Sequence, residues 1–138
     1  MIILDKNVVS EPLKPSPDPA VLAWLDRQAP ETLYLTTVNL AEMLAGIEAL
    51  LQGRRRTELN QALTTQMMPL FQGRILAFDE KAAKALALIN ARAKAAGNTI
   101  SFADGAIAAI ALAHGFMLAT RNVRDFRGTR VELINPWV

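Results

Sequence analysis

The sequence predicts an α/β fold: a single domain with a central, mostly parallel sheet of about five strands, flanked by helices on both faces. Three observations predict it. Short apolar runs alternate with helical stretches along the whole chain, the pattern of repeated strand–helix units. A length of 138 residues suits one domain able to bury a sizeable core. A hydrophobic content of 51%, against 20% charged residues, excludes a disordered chain.

The elements follow in order. Ile2-Ile3-Leu4 reads as a buried strand stopped by Asp5. Pro12, Pro15, Pro17 and Pro19 punctuate the next segment and leave room for a short helix over 20–27. Asp18 is its expected N-cap, with Pro19 at the first helical position. Leu33–Thr36 is the second strand, and Thr37 is expected to cap a strongly apolar helix reaching Gln52, with Gly53 just beyond. A further helix from about Thr57 to Met68 is expected to stop at Pro69. Arg74–Phe78 is the third strand, and Asp79 caps a long helix to about Ala96, closed by Gly97. Ser101 starts another helix ending at His114-Gly115, and Phe116–Thr120 and Val131–Ile134 complete the strands. No repeat, low-complexity tract or linker divides the chain, so one domain is expected over 1–138.

Composition narrows the function classes. No apolar stretch reaches the ~18 residues of a membrane span, and the start lacks the pattern of a secretory signal. Zero cysteines exclude disulfides and thiolate metal sites and fit a reducing compartment, so a cytoplasmic location is expected. A net charge of +2 is compatible with a polyanionic partner without demanding one.

In a parallel α/β sheet, ligands bind beyond the carboxyl ends of the strands. Asp5 ends the first strand, Asp104 lies in the first turn of the helix begun by Ser101, and Asn122 and Asp125 follow the fourth strand. Glu42 interrupts a helix, VNLAEMLAGIEALL, that is apolar on nearly every side. A buried carboxylate needs a partner, and a bound cation is one. Each residue also has a plainer reading. Asp5 could cap a turn, Ser101 and Asp104 have the S-x-x-D form of a capping box, and turn chemistry could account for Asn122 and Asp125.

Taken together these residues resemble a known family. Asp5-Lys6-Asn7, Ala41-Glu42, Ser101-Phe102-Ala103-Asp104 with Ile107–Ala111, and Thr120–Phe126 resemble the motifs of PIN-domain nucleases. More narrowly they resemble the VapC/FitB-type toxins of bacterial type II toxin–antitoxin systems, and Asn135-Pro136-Trp137 matches the FitB-like branch. The resemblance runs through essentially the whole chain.

It implies an endoribonuclease dependent on Mg²⁺ or Mn²⁺, with Asp5, Glu42 and Asp104 as metal ligands. The family's fourth acid falls at Asn122, and Asp125 is the candidate to supply the missing carboxylate. Implied partners are a cognate DNA-binding antitoxin of the VapB/FitA kind, an RNA substrate such as tRNA, and a second copy of the chain in a homodimer. Magnesium takes oxygen ligands and keeps several waters, and such an ion can activate water for attack on a phosphodiester. Asn7, Arg54 and Arg121 are candidate RNA contacts, Arg54 opening the dense run Arg54-Arg55-Arg56.

Lys6 stands where the family usually has threonine. In extended chain it could point away from the site, since successive side chains alternate; otherwise it could compete with metal or bind phosphate. His114 is expected to cap a helix end rather than to catalyse. Lys6 and Asn122 favour an alternative, a catalytically weakened module that acts by binding antitoxin and co-repressing its operon. A receiver-type phosphoacceptor domain finds no acidic pair at the first strand to support it.

Overall fold

The computed structural model describes every residue from Met1 to Val138. Strands Ile2–Leu4 (β1), Leu33–Thr36 (β2), Ile75–Leu76 (β3), Met117–Ala119 (β4) and Leu133–Ile134 (β5) form one sheet, ordered β3-β2-β1-β4-β5. All four pairings are parallel. The chain leaves β1 for β2 and β3 on one side, then returns to add β4 and β5 on the other. The order therefore reverses between β1 and β4, which opens a crevice at their carboxyl ends.

Six helices cover the sheet: Lys6–Ser10 (α1), Pro19–Asp26 (α2), Thr37–Glu48 (α3), Arg54–Gln61 (α4), Glu80–Ala95 (α5) and Phe102–His114 (α6). Alternation along the strands divides the core in two. Ile3 and Leu118 join a cluster with Leu86, Ile89, Ile107 and Ile110. Their neighbours Leu4 and Ala119 face the opposite cluster, with Val8, Leu35, Leu63 and Phe71. Helix α6 is buried without interruption from Gly105 to Ala111. Its small residues let α5 and the sheet approach closely, and Gly115, in the left-handed conformation (φ 69°), terminates it. No helix is long and apolar enough to cross a membrane.

Gly105 marks the tightest of these approaches. A Cβ there would lie 2.8 Å from Leu86 Cδ1, and Leu86 is itself buried. Overpacking of this kind costs about 1–3 kcal/mol, partly offset by the better helix propensity of alanine, about 1 kcal/mol. Gly105→Ala should therefore lower stability by a net ~1 kcal/mol, read as a reduced urea midpoint.

Three expectations need correction. Thr36, not Thr37, caps α3: its hydroxyl accepts the Asn39 N–H at 3.0 Å, and the helix ends at Glu48, short of Gln52. The helix expected over 57–68 begins at Arg54 and continues past Gln61 as a wider turn over Ala62–Met67. Pro69 does not stop it, because proline is tolerated in the first turn of the 3-10 segment Met68–Phe71. Finally, α1 follows β1 directly, so Lys6 and Asn7 are helical rather than extended.

Candidate functional site

Asp5 is the fixed point of the crevice between β1 and β4. It is only 5% exposed, and both carboxylate oxygens are engaged. Oδ1 accepts the Lys6 N–H at 2.8 Å, which caps α1, and the Asn39 side-chain amide at 3.1 Å. Oδ2 accepts the hydroxyl of Thr120, at the end of β4, at 2.7 Å. Asn39 is oriented in turn by Thr36, whose hydroxyl donates to its Oδ1 at 2.6 Å. The carboxylate is thus held from three strand ends at once, those of β1, β2 and β4.

Asn39 and Thr120 were not among the candidates from sequence, yet both are fully buried. A usable signal existed for Asn39: it lies one turn before Glu42 in an otherwise apolar helix, on the same face. Thr120 opens the Thr120–Phe126 motif, but nothing local shows its bond to Asp5, 115 residues away.

Glu42 projects from α3 with a side chain 26% exposed, and the Lys6 ammonium lies 3.6 Å from its Oε2. The question posed by Lys6 is thereby answered: it turns toward the acidic residues because α1 begins immediately after Asp5. Burial raises the pKa of Glu42; the charge of Lys6 opposes the rise, and Asp5 and Asp104 add to it. Asp104, in the first turn of α6, is likewise raised by burial, opposed by Ser101 and reinforced by Asp5 and Asp125. The acidic residues, separated by 99 positions from first to last, share one electrostatic environment.

The remaining candidates take varied places. Asn7 Oδ1 accepts the Arg121 N–H at 3.3 Å, tying α1 to the segment after β4. The Arg121 guanidinium lies over the Trp137 ring, 5.2 Å from its centroid. Asn122 is exposed, and its N–H donates to Thr120 Oγ1 at 3.0 Å. Asp125 is exposed in the turn Val123–Phe126. Arg54 pairs with Glu58 at 3.0 Å on the outer face of α4, and Arg56 pairs with Glu48. It is Arg55 that faces a mainly apolar groove of about 430 Å³, together with Lys6, Glu42, Met43, Ile47 and Leu50. His114 ends α6 and packs its ring against Phe116 at 5.3 Å.

Three carboxylates, two of them with raised proton affinity, fit a hard divalent cation: oxygen donors whose mutual repulsion a double positive charge relieves. The acidic side chains do not close into a preformed cage of three ligands. The only cation paired with the group is a lysine, and a monovalent ammonium on one side of it gives the carboxylates little to converge on.

The raised pKa values carry a sign for stability. An acid that ionises at higher pH in the folded state leaves that state holding more protons than the unfolded chain, so stability falls as pH rises. Metal-free protein should lose melting temperature as pH climbs from the ordinary values of 4.5 for Glu42 and 3.8 for Asp104 through their raised ones. Glu42→Gln should flatten that decline in a pH series with chelator present. An unchanged slope would mean that Glu42 ionises freely.

The whole chain is similar to known proteins. The PIN-domain family model matches residues 2–131. VapC ribonuclease Y4jK of Sinorhizobium fredii (strain NBRC 101917 / NGR234) is 47% identical over 137 residues, covering 99% of this chain and 98% of that protein. Toxin FitB of Neisseria gonorrhoeae (strain ATCC 700825 / FA 1090) is 44% identical, with 99% of each chain covered. The crystal structure of FitAcB from Neisseria gonorrhoeae superposes with a TM-score of 0.94 at 44% identity, covering 99% of both chains. Fold and whole-length similarity agree: the chain belongs to the PIN-domain family, among its VapC- and FitB-type members.

Proposed function

We propose that this protein is the toxin of a type II toxin–antitoxin pair, an endoribonuclease that hydrolyses RNA phosphodiester bonds with Mg²⁺ or Mn²⁺. The observation that carries the proposal is the anchored Asp5. A carboxylate immobilised by Lys6, Asn39 and Thr120 at the strand-order reversal, within the electrostatic reach of Glu42 and Asp104, is a fixed anchor on which the other acids can converge. Whole-length similarity to a protein named a ribonuclease supports catalysis over the alternative of a module that only binds.

Asp5, Glu42 and Asp104 would hold the ion. When bound, it supplies positive charge for the phosphate oxygens and acidifies an attacking water. The chain's own part is positioning. Asn39 and Thr120 fix the plane of the Asp5 carboxylate, Asn7 and Arg121 brace the loop beside it, and Asn122 and Asp125 extend the polar rim. The reaction forms one bond from water oxygen to phosphorus and breaks one ester bond, the water proton passing to solvent or to a neighbouring carboxylate and the departing ribose oxygen taking up a proton from solvent. Lys6, paired with Glu42, holds this centre below its full metal affinity.

The partner is a cognate antitoxin. Its segment fits the apolar groove that begins at Lys6 and Glu42 and continues over Met43, Ile47 and Leu50. The proposal includes a homodimer acting in the cytoplasm. Expression of the protein alone should arrest bacterial growth, and co-expression of its cognate antitoxin should restore it. Stable accumulation without arrest would overturn the toxin reading.

A further inference from the structure

A hollow of about 540 Å³ lies between the end of α5 and the turn after β4, and it carries Arg92, Arg124 and Arg127 together with Asp125. None of these three arginines enters an ion pair; the five ion pairs of the molecule use Lys6, Lys14, Arg54, Arg56 and Lys84 as their cations. Four other arginines have partners within the chain. Arg54 and Arg56 pair with glutamates, Arg74 donates to Leu33 O, and Arg121 rests on Trp137. Arg92 lies in the last turn of α5, where a cation suits the helix end. Three guanidinium groups without ion pairs around one concavity, against one carboxylate, still leave a local excess of positive charge.

The walls of the hollow connect it to the acidic centre. One wall is the loop Gly97–Ile100, which leads into Ser101, the cap of the helix bearing Asp104. Ile100 packs toward Gly105, one residue beyond Asp104. The other wall is the turn that follows Thr120 and Asn122, and Asp125 lines it. The hollow thus borders both segments that carry candidate acidic residues, the one leading to Asp104 and the one holding Asp125. The planar guanidinium fork suits phosphate oxygens.

We propose that Arg92, Arg124 and Arg127 form a phosphate-binding subsite that holds the RNA backbone beyond the bond being cut. This deepens the ribonuclease reading and rests on it for the identity of the polyanion. It sets affinity and register, leaving bond breaking to the carboxylates.

The test separates binding from cleavage. A fluorescently labelled single-stranded RNA is titrated with the full-length protein in EDTA at several salt concentrations, and cleavage of the same RNA is followed separately with Mn²⁺. The variant R92Q/R124Q/R127Q should bind at least tenfold more weakly. Its slope of log affinity against log salt should shrink by about 2, three phosphates at about 0.7 each on a single strand. In cleavage its KM should rise while kcat holds, and R92K/R124K/R127K should recover most of the salt slope. Equal affinity and slope in the glutamine variant and the wild type, with melting temperatures alike, would overturn the subsite. Loss of duplex DNA binding alone, with RNA binding intact, would overturn it too. Absence of cleavage by wild type would count against the ribonuclease reading, while the binding titration would still decide whether the arginines grip RNA.

Discussion

Asp104→Asn should abolish growth arrest and lower the rate of RNA cleavage by roughly 10²–10³-fold, the several kcal/mol that metal-assisted charge stabilisation is worth. It should do so in a protein at least as stable as the parent. Asp104 carries a raised pKa because burial and the charges of Asp5 and Asp125 disfavour its ionised form. Replacing it with a neutral amide of the same shape removes that cost, so the metal-free melting temperature at neutral pH should rise. Asp5→Asn is the poorer experiment. Its carboxylate accepts three hydrogen bonds across two oxygens. An asparagine –NH2 turned to the Thr120 hydroxyl could be accepted there, but only by giving up the bond that hydroxyl now donates. The other orientation would set the –NH2 against the Lys6 and Asn39 donors. Leaving such buried donors unpaired costs about 1–3 kcal/mol each, so inactivity there would confuse folding with chemistry. Full activity in a folded Asp104→Asn protein would remove this residue from the mechanism.

Lys6→Thr should bind Mg²⁺ or Mn²⁺ several-fold to tenfold more tightly and cleave RNA faster. The Lys6 ammonium is 3.6 Å from Glu42 Oε2, beside any ion that Glu42 would hold. At ~4 Å and an effective dielectric near 20, it opposes each unit of metal charge by roughly 4 kcal/mol. The lysine is half exposed and can swing into solvent, and even a quarter of that repulsion is close to the ~1.4 kcal/mol that makes a factor of ten. The same substitution leaves Glu42 without its counterion, so the metal-free protein should melt slightly lower, by the ~1 kcal/mol or less typical of a partly exposed pair. Calorimetric titration of both proteins with Mn²⁺ is the check. Equal affinities would mean that Lys6 retreats fully when the ion arrives, and its contact with Glu42 would then belong to the empty protein only.

The architecture was readable because apolar runs and helix caps are local. Asp18, Asp79 and Ser101 each cap the helix expected of them, through bonds to residues two or three positions on. Helix α1 was not readable for a physical reason. Its five residues, KNVVS, include two adjacent valines with poor helix propensity. What holds it is the Asp5 cap and the burial of Val8 and Val9 against the sheet. The acidic residues stood out because charge is conspicuous in apolar surroundings. Their supports did not, because Asn39 and Thr120 are ordinary polar residues whose importance lies in contacts 34 and 115 positions distant. Arg55 shows the same limit: three consecutive arginines face different ways around a helix, and only folding selects the one that meets the groove.

Hydrolysis of RNA by the acidic residues at the β1–β4 crevice, with a divalent ion, is the step on which the proposed function stands. It is tested most directly by incubating the purified, antitoxin-free protein with RNA and Mn²⁺ or Mg²⁺, alongside EDTA and Asp104→Asn controls, and analysing the ends produced. Cleavage should require the metal, cease in EDTA, fall by roughly 10²–10³-fold in Asp104→Asn, and leave no 2′,3′-cyclic phosphate, because water is the nucleophile. Cleavage that persists in EDTA, or cyclic phosphate ends that mark attack by the RNA's own 2′-hydroxyl, would contradict the proposed function.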